Sequence, residues 1–264
     1  MRSAVTWHMT ISMPERQPRT PSHERTTVPM VRPETGTMQI GGLPADRAPG
    51  RSERGPAFRH GDPLVMFAHL AAVTERIGFA TGVLVLPQRQ TALLARQAAD
   101  VDLLSGARLR QGVGVGWNHV EYQALGQDFR TRGARQEERI GLLRRLFTEP
   151  VVDFTGCFDH IERAALVPRP ARALPIRLGG SGDDAFERAA RLADGFIFFG
   201  AAGIDRDVDT WNRLRERVDR LGRPVEEFGG EYVALPGGGI HDLTAQIDAW
   251  RDAGGSDVSV ATLG

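Results

Sequence analysis

From residue 62 onward, the sequence alternates between short apolar segments typical of strands and longer segments with the apolar spacing of helices. A strand followed by a helix, repeated along a chain, favours parallel strands joined by helical crossovers. The predicted strands begin near residues 79, 109, 175, 195, 231 and 257. Six strands suffice for a doubly wound sheet, whereas a (β/α)8 barrel needs eight, so the count alone leaves both α/β folds open.

The helical segments carry their own start and stop signals. Asp62 followed by a proline predicts the N-cap of the first helix, and Gly106 predicts the end of the second. Trp211 and Trp250 fall on predicted helices, where aromatic residues most often pack in the core. Residues 150–174 lack periodicity and are predicted to be irregular. The predicted helices span residues 62–77, 92–106, 132–149, 183–193, 208–222 and 242–255.

Residues 1–61 differ from the rest because they are rich in proline, arginine and turn residues. Only residues 5–13 alternate between apolar and polar side chains like a short strand. A segment of this composition buries too little apolar surface to offset the entropy lost on ordering. We therefore expect two parts, an irregular arm over 1–61 and a folded domain over 62–264.

Composition excludes several classes of function. The formal net charge is zero, which gives no electrostatic argument for a nucleic acid or membrane partner. No apolar run reaches the ~18 residues of a membrane span, and no apolar signal-peptide centre is present. All 33 basic residues are arginine, so Schiff-base chemistry on a lysine is ruled out. The single cysteine, Cys157, cannot form an internal disulfide, and we expect a cytoplasmic protein.

The strand near residue 109 carries glycine at positions 112, 114 and 116, followed by Trp117. This is not the dinucleotide-binding fingerprint, because Trp117 and His119 stand where that pattern needs its third glycine. Two explanations remain open: small residues fill the taper of a barrel, or a large flat ligand approaches the backbone closely. No pair of histidines has metal-ligand spacing, so we predict no metal site.

Five segments, following one another in the expected order, resemble the bacterial luciferase-like monooxygenase superfamily, in its branch of flavin- and coenzyme F420-dependent oxidoreductases. They are "DPLVMFAHLAAVTERIGFATGVLVLPQR", "QAADVDLLSGARLRQGVGVGWNHVEYQALG", "RGARQEERIGLLRRLF", "PIRLGGSGDDAFERAARLADGF" and "AGGSDVSVATLG". The resemblance implies a TIM-type (β/α)8 barrel over 62–264, incomplete at its N-terminus, with the first helix and second strand missing or degraded. In this reading Ser22 replaces the acidic neighbour of the family histidine, which His23 matches best.

The resemblance also implies a function. It implies an oxidoreductase or monooxygenase that uses F420, the favoured cofactor, or FMN, and acts by hydride transfer on a small organic substrate as a homodimer. His23 and Glu121 are the expected catalytic residues, and a non-proline cis peptide is expected between Gly82 and Val83. The expected cofactor-binding residues are Thr81, Gly82, Val83, Gly114, Gly116, Trp117, Asn118, Gly179, Gly180, Ser181 and Gly182.

Each of these expectations has an alternative. Residues 179–182 lie between a predicted strand and helix, where backbone N–H groups would face a phosphate. Alternatively, this is an ordinary turn in which Ser181 or Asp183 caps the helix. For the whole protein, the alternative is a non-catalytic or truncated barrel that keeps the fold.

Overall fold

A computed structural model describes residues 62–235 and 239–261. The predicted strand over 5–13, His23 and the rest of the arm lie outside the described residues, so the division of the chain into two parts stays a prediction. The described strands, in chain order, are β1 Phe79–Ala80, β2 Leu84–Val85, β3 Leu109–Gly114, β4 Val152–Thr155, β5 His160–Ala164, β6 Ile176–Gly179, β7 Gly195–Phe199, β8 Gly229–Ala234 and β9 Asp257–Val260.

The main sheet is parallel throughout and has the order β1–β3–β6–β7–β8–β9, with β2 also pairing with β3. All six predicted strand positions are therefore confirmed, except that the first is split into β1 and β2. The helices of the described chain are α1 Pro63–Val73, α2 Thr91–Ser105, α3 His119–Ala124, α4 Arg132–Thr148, α5 Asp183–Leu192, α6 Ile204–Arg220 and α7 Gly239–Asp252. None of them is both long and apolar enough to cross a membrane.

The predicted helix boundaries are confirmed where local chemistry sets them. The Asp62 side chain caps α1, and Gly106, with a φ of 67°, ends α2 in the left-handed region. Helix α1 ends earlier than predicted, at Val73. The cause is a tertiary contact, because the Arg108 guanidinium donates to the carbonyl oxygens of Ala71 and of two residues in the following loop.

The prediction of an irregular segment over 150–174 is wrong for 152–164, where β4 and β5 form an antiparallel hairpin, and is confirmed for 165–174, which contain neither helix nor strand. The tip of the hairpin is tied to α4 by Glu138, whose carboxylate accepts hydrogen bonds from the backbone N–H groups of Cys157, Phe158 and Asp159. This tie spans about twenty residues of sequence, so the periodicity of a short window could not indicate it. The short helix α3 was also not predicted.

The sheet curls strongly enough for side chains of strands far apart in its order to meet across the inner face. Arg110 on β3 lies 2.8 Å from Glu231 on β8 and 3.4 Å from Asp257 on β9, although β3 and β9 stand four places apart in the sheet order. The outer face packs against the helices, where Trp211 and Trp250 are fully buried, as predicted. The curl is that of a barrel wall, and it leaves the carboxyl ends of the strands at one edge.

Candidate functional site

The amino-terminal half of the inner face holds a network of four charged side chains. Arg110 and Arg177 contribute two positive charges, and Glu231 and Asp257 contribute two negative charges. Arg177 Nη1 lies 2.6 Å from Asp257 Oδ2 and 3.3 Å from Glu231 Oε2, while Ser259 Oγ donates to Glu231 Oε1 at 2.8 Å. We call these four charged residues the ion network; it is neutral as a whole and largely buried.

At Asp257, the neighbouring positive charges outweigh the effect of burial on the carboxyl pKa. Burial acts to raise the pKa of Asp257, but the charges of Arg177 and Arg110, with hydrogen bonds from Arg177 and Ser256, lower that pKa below its usual value. Burial, together with the charge of Arg110, lowers the pKa of Arg177. Both partners stay ionised near neutral pH, since the carboxyl pKa moves down and a guanidinium starts far above 7.

Toward the carboxyl ends of the strands, the inner face becomes apolar. Ile197, Val233 and Ala261 are buried there, and Val83, Phe199 and Leu235 pack against them while staying half-exposed. We call these six residues the apolar floor. It is the part of the inner face that offers exposed apolar surface at the edge where barrel enzymes place their active sites.

The glycines of β3 are required by packing within the chain itself. A Cβ added at Gly112 would lie 1.9 Å from the Thr81 carbonyl oxygen and 2.5 Å from Ile197 Cδ1. One added at Gly114 would lie 2.7 Å from Val83 Cγ2. Of the two explanations for these glycines, the contacts support the filling of the barrel interior, whether or not a ligand also approaches.

We expect Gly112→Ala to destabilise the protein by about 2–3 kcal/mol, because the backbone oxygen of Thr81 must move to admit the methyl group. Gly141→Ala is the matched control, since nothing lies within 4 Å of a Cβ at this position inside α4. The control should be stabilised by about 0.5–1 kcal/mol. Urea unfolding of both variants measures the difference, and an equal effect of the two would contradict the packing argument.

Thr81 and the cis peptide after it shape the apolar floor from below. The Gly82–Val83 peptide bond is cis, as the family resemblance implied. The Thr81 hydroxyl is fully buried; it donates to the Gly112 carbonyl oxygen at 2.8 Å and accepts from the Gly112 N–H at 2.9 Å. Thr81 is thus committed to β3 and can affect a ligand only through Val83 and the backbone.

The loop after β3 brings three expected site residues together. Trp117 is 53% exposed, whereas Asn118 is buried and caps α3 through its Oδ1. The Nδ2 of Asn118 has no hydrogen-bond partner among the described residues. Glu121 Oε2 lies 3.5 Å from Nε2 of Gln88, which follows β2. Sequence reasoning missed Gln88, although its place just after a predicted strand was the available signal.

Tyr122 holds this loop in place. Its hydroxyl donates to the Val115 carbonyl oxygen at 2.5 Å, and its ring meets Phe129 edge-on at 5.2 Å between centroids. Burial raises the pKa of Tyr122 to about 12, because its effect outweighs the lowering of that pKa by the charges of nearby arginines. The phenol therefore keeps its proton and acts as a structural donor.

The turn between β6 and α5 presents a helix N-terminus without a side-chain cap. Gly182, at a φ of 89°, is the N-cap of α5, so the alternative in which Ser181 or Asp183 caps this helix is wrong. Helix α6, after the neighbouring strand β7, likewise begins at Gly203 without a side-chain cap. Two helix N-termini thus face the same edge of the sheet, where their N–H groups favour an anion.

Asp183 and Asp184 lie in the first turn of α5 and oppose an anion there. Arg217 Nη2 lies 3.6 Å from Asp183 Oδ1 and offsets part of that charge. Of the expected site residues, those at 114–118, 121 and 179–182 lie at or after the carboxyl ends of β3 and β6, those at 81–83 lie between β1 and β2, and His23 lies outside the described chain. Within the described ranges, no group of three His, Cys, Asp or Glu side chains is placed to hold a metal ion.

A family model described as luciferase-like monooxygenase matches residues 50–231 of the chain. An uncharacterized protein of Mycobacterium tuberculosis is 39% identical over 168 residues, which cover 62% of this chain and 56% of the relative. A second protein of that species is 32% identical over 241 residues, covering 89% of this chain and 78% of the relative. An F420-dependent glucose-6-phosphate dehydrogenase of Intrasporangium calvum is 29% identical over 187 residues, covering 64% and 55%.

The chain spans little more than half the length of the first and third of these relatives. Among solved structures, monooxygenase RslO1 from Streptomyces bottropensis superposes with a TM-score of 0.59 at 24% identity, covering 73% of this chain and 61% of that one. A riboflavin lyase with modified FMN and riboflavin superposes with a TM-score of 0.60 at 18% identity, covering 67% and 45%.

At these identities the structural likeness concerns the fold alone, and it confirms the predicted barrel type. The sequence matches establish more than the fold, because the family model covers well over half of the chain and one relative aligns with most of it. The chain therefore belongs to the family of luciferase-like monooxygenases.

Proposed function

We propose that the protein is a flavin- or deazaflavin-dependent oxidoreductase that transfers a hydride to or from a small organic substrate. The observation that carries this proposal is the apolar floor at the carboxyl edge, bordered by the uncapped N-termini of α5 and α6. A flat ring system fits against the floor, and a phosphate fits the free N–H groups of the helix termini. Both features belong to one ligand when that ligand is a flavin-type cofactor.

The residues of the β3 loop fit such a cofactor. The buried Nδ2 of Asn118 has no partner in the described chain and would donate to an oxygen or nitrogen of the ring. Trp117 is exposed beside it and would cover the ring or the substrate. Glu121, oriented by Gln88, would hold the proton that the substrate gives up or takes. When bound, the cofactor supplies the hydride acceptor or donor.

F420 is the cofactor that we favour over FMN, because one of the sequence relatives is F420-dependent by name. A structural neighbour that contains modified FMN supports the flavin class in general. His23, the homodimer and the cytoplasmic location stay predictions from the sequence. The second candidate function is a barrel without catalysis, and the carboxylates of Asp183 and Asp184 at the phosphate turn are the observation that favours it.

The test is a fluorescence titration of the purified chain with F420, FMN and riboflavin separately. We expect F420 or FMN to bind, and riboflavin, which lacks the phosphate, to bind more weakly than FMN. Binding of none of them by a folded, monodisperse sample would contradict the proposal and leave the non-catalytic barrel.

Ser181→Glu tests the phosphate turn directly. A third carboxylate at this helix N-terminus should weaken F420 or FMN binding about tenfold and leave riboflavin unchanged. Asp184→Asn is the opposite variant. It should tighten binding of the phosphate-bearing cofactor, because it removes a repelling charge from an exposed position.

A further inference from the structure

A cavity of about 1430 Å³ lies at the opposite end of the strands from the apolar floor. Its lining includes residues 76–79, 107–110 and 172–175, which approach β1, β3 and β6 from their amino-terminal sides. These three stretches contain four arginines and no acidic residue. We call them the arginine wall.

Two of the four arginines in the wall are neutralised by carboxylates. Arg110 pairs with Glu231 at 2.8 Å, and Arg172 pairs with Asp102 at 2.8 Å. The Nη1 of Arg172 makes only a 3.5 Å contact with the Ala173 carbonyl oxygen, so most of its hydrogen-bonding capacity is unused. The wall therefore keeps a donor there even though the charge of Arg172 is paired.

The other two arginines carry uncompensated charge. All five N–H groups of Arg108 donate to uncharged oxygens, including those of Ala71, Thr74, Ile77 and Ser105. Arg108 therefore contributes a half-buried positive charge without a counter-ion and without a free N–H. Arg76 is exposed, and within the described chain it has no carboxylate at ion-pair distance. Its guanidinium is free to bind.

The other charged residues that line the cavity leave the excess of positive charge on the arginine wall. Glu226 and Glu227 line the cavity on the turn before β8, together with Arg215 of α6, whereas Asp194 is paired with Arg144 at 2.9 Å. The acidic residues thus lie with the β6–β8 side. The excess of positive charge lies on the arginine wall.

Within the described residues, no carboxylate is at ion-pair distance from Arg76 or Arg108. Residues 1–61 contain nine arginines and only five acidic residues, so this segment is itself positive. A confined positive charge without a partner favours an anion from solution. We propose that the arginine wall binds a small polyanion carrying phosphate or carboxylate groups, with Arg76 and Arg172 donating hydrogen bonds and Arg108 supplying charge.

The experiment is calorimetric titration of the whole chain with sodium diphosphate and, separately, with citrate at constant ionic strength. Arg76→Gln should weaken binding of the preferred anion at least tenfold, because it removes a charge-assisted donor. Arg213→Gln is the matched control, since it removes an exposed arginine of α6 that does not line the cavity. It should change binding less than twofold.

Ser181→Glu separates this site from the proposed cofactor site. It should weaken binding of the phosphate-bearing cofactor and leave binding of diphosphate unchanged. Loss of diphosphate binding in Ser181→Glu, but not in Arg76→Gln, would assign the anion to the α5 turn and overturn the proposal. Absence of binding by both diphosphate and citrate would also overturn it. Because these titrations need no bound cofactor, failure of the proposed function leaves their outcome readable.

Discussion

Replacing Arg177 with methionine should lower the free energy of unfolding by about 3–5 kcal/mol. Arg177, like Arg110, contacts both carboxylates of the ion network, and its removal leaves two buried negative charges facing the single charge of Arg110. Its guanidinium is tightly confined, because a Cβ added at Gly229 would lie 2.3 Å from Nη2. Urea unfolding of the variant at neutral pH measures the loss.

A double variant distinguishes lost charge compensation from lost packing. Arg177→Met combined with Glu231→Met removes one charge of each sign and leaves Arg110 with Asp257, a pair already 3.4 Å apart. This double variant should recover much of the loss, since replacing a buried pair by apolar groups is often neutral. Arg213→Ala, in an exposed pair, should cost less than about 1 kcal/mol. A double variant no more stable than Arg177→Met would contradict the charge argument.

Replacing Asp207 with asparagine should stabilise the protein by about 1–3 kcal/mol at pH 8 and by less than about 1 kcal/mol at pH 4. Asp207 lies in the first turn of α6, is 7% exposed, and its Oδ2 has no hydrogen-bond partner in the described chain. Burial raises its pKa from 3.8 to about 6, and the nearby charge of Arg206 offsets this only in part.

The direction of this pH dependence follows from how tightly each state of the protein binds the proton of Asp207. The folded state holds the proton of Asp207 more tightly than the unfolded state does, so the group favours folding below pH 3.8 and loses that contribution as the pH rises through about 6. Asparagine stays neutral at every pH. Unfolding of both proteins at pH 4 and pH 8 measures the difference, with Asp209→Asn on the exposed face of α6 as control. A difference in the free energy of unfolding that is the same at both pH values would show that the pKa of the Asp207 carboxyl is not raised.

Local signals in the sequence determined the elements of this protein. The cap at Asp62 and the stop at Gly106 are where they were expected, because each depends on hydrogen bonds or backbone angles within a few residues. The strand positions followed from apolar runs of the right length. The resemblance supplied the barrel type and the expected cis peptide after Gly82, which no pattern of apolar residues could indicate.

The candidate site was predicted as positions but not as contacts. The sequence placed Trp117, Asn118 and Glu121 after one strand, yet it did not bring Gln88 to Glu121 across 33 residues of chain. It also left open why Gly112 is glycine, because the colliding atoms belong to Thr81 and Ile197 on other parts of the sheet. Those answers depend on neighbours that are distant along the chain.

The sequence by itself determined the alternation of strands and helices, the caps and the family, since these rest on patterns within short windows or on ordered stretches of similar residues. Only the tertiary structure decided how far the sheet curls, which arginines lose their counter-ions, and that the α5 turn ends without a side-chain cap. The physical reason is the separation along the chain of the residues that come into contact. Arg110 meets Glu231 across 121 residues, and such a contact exists only after the strands between them have been laid side by side.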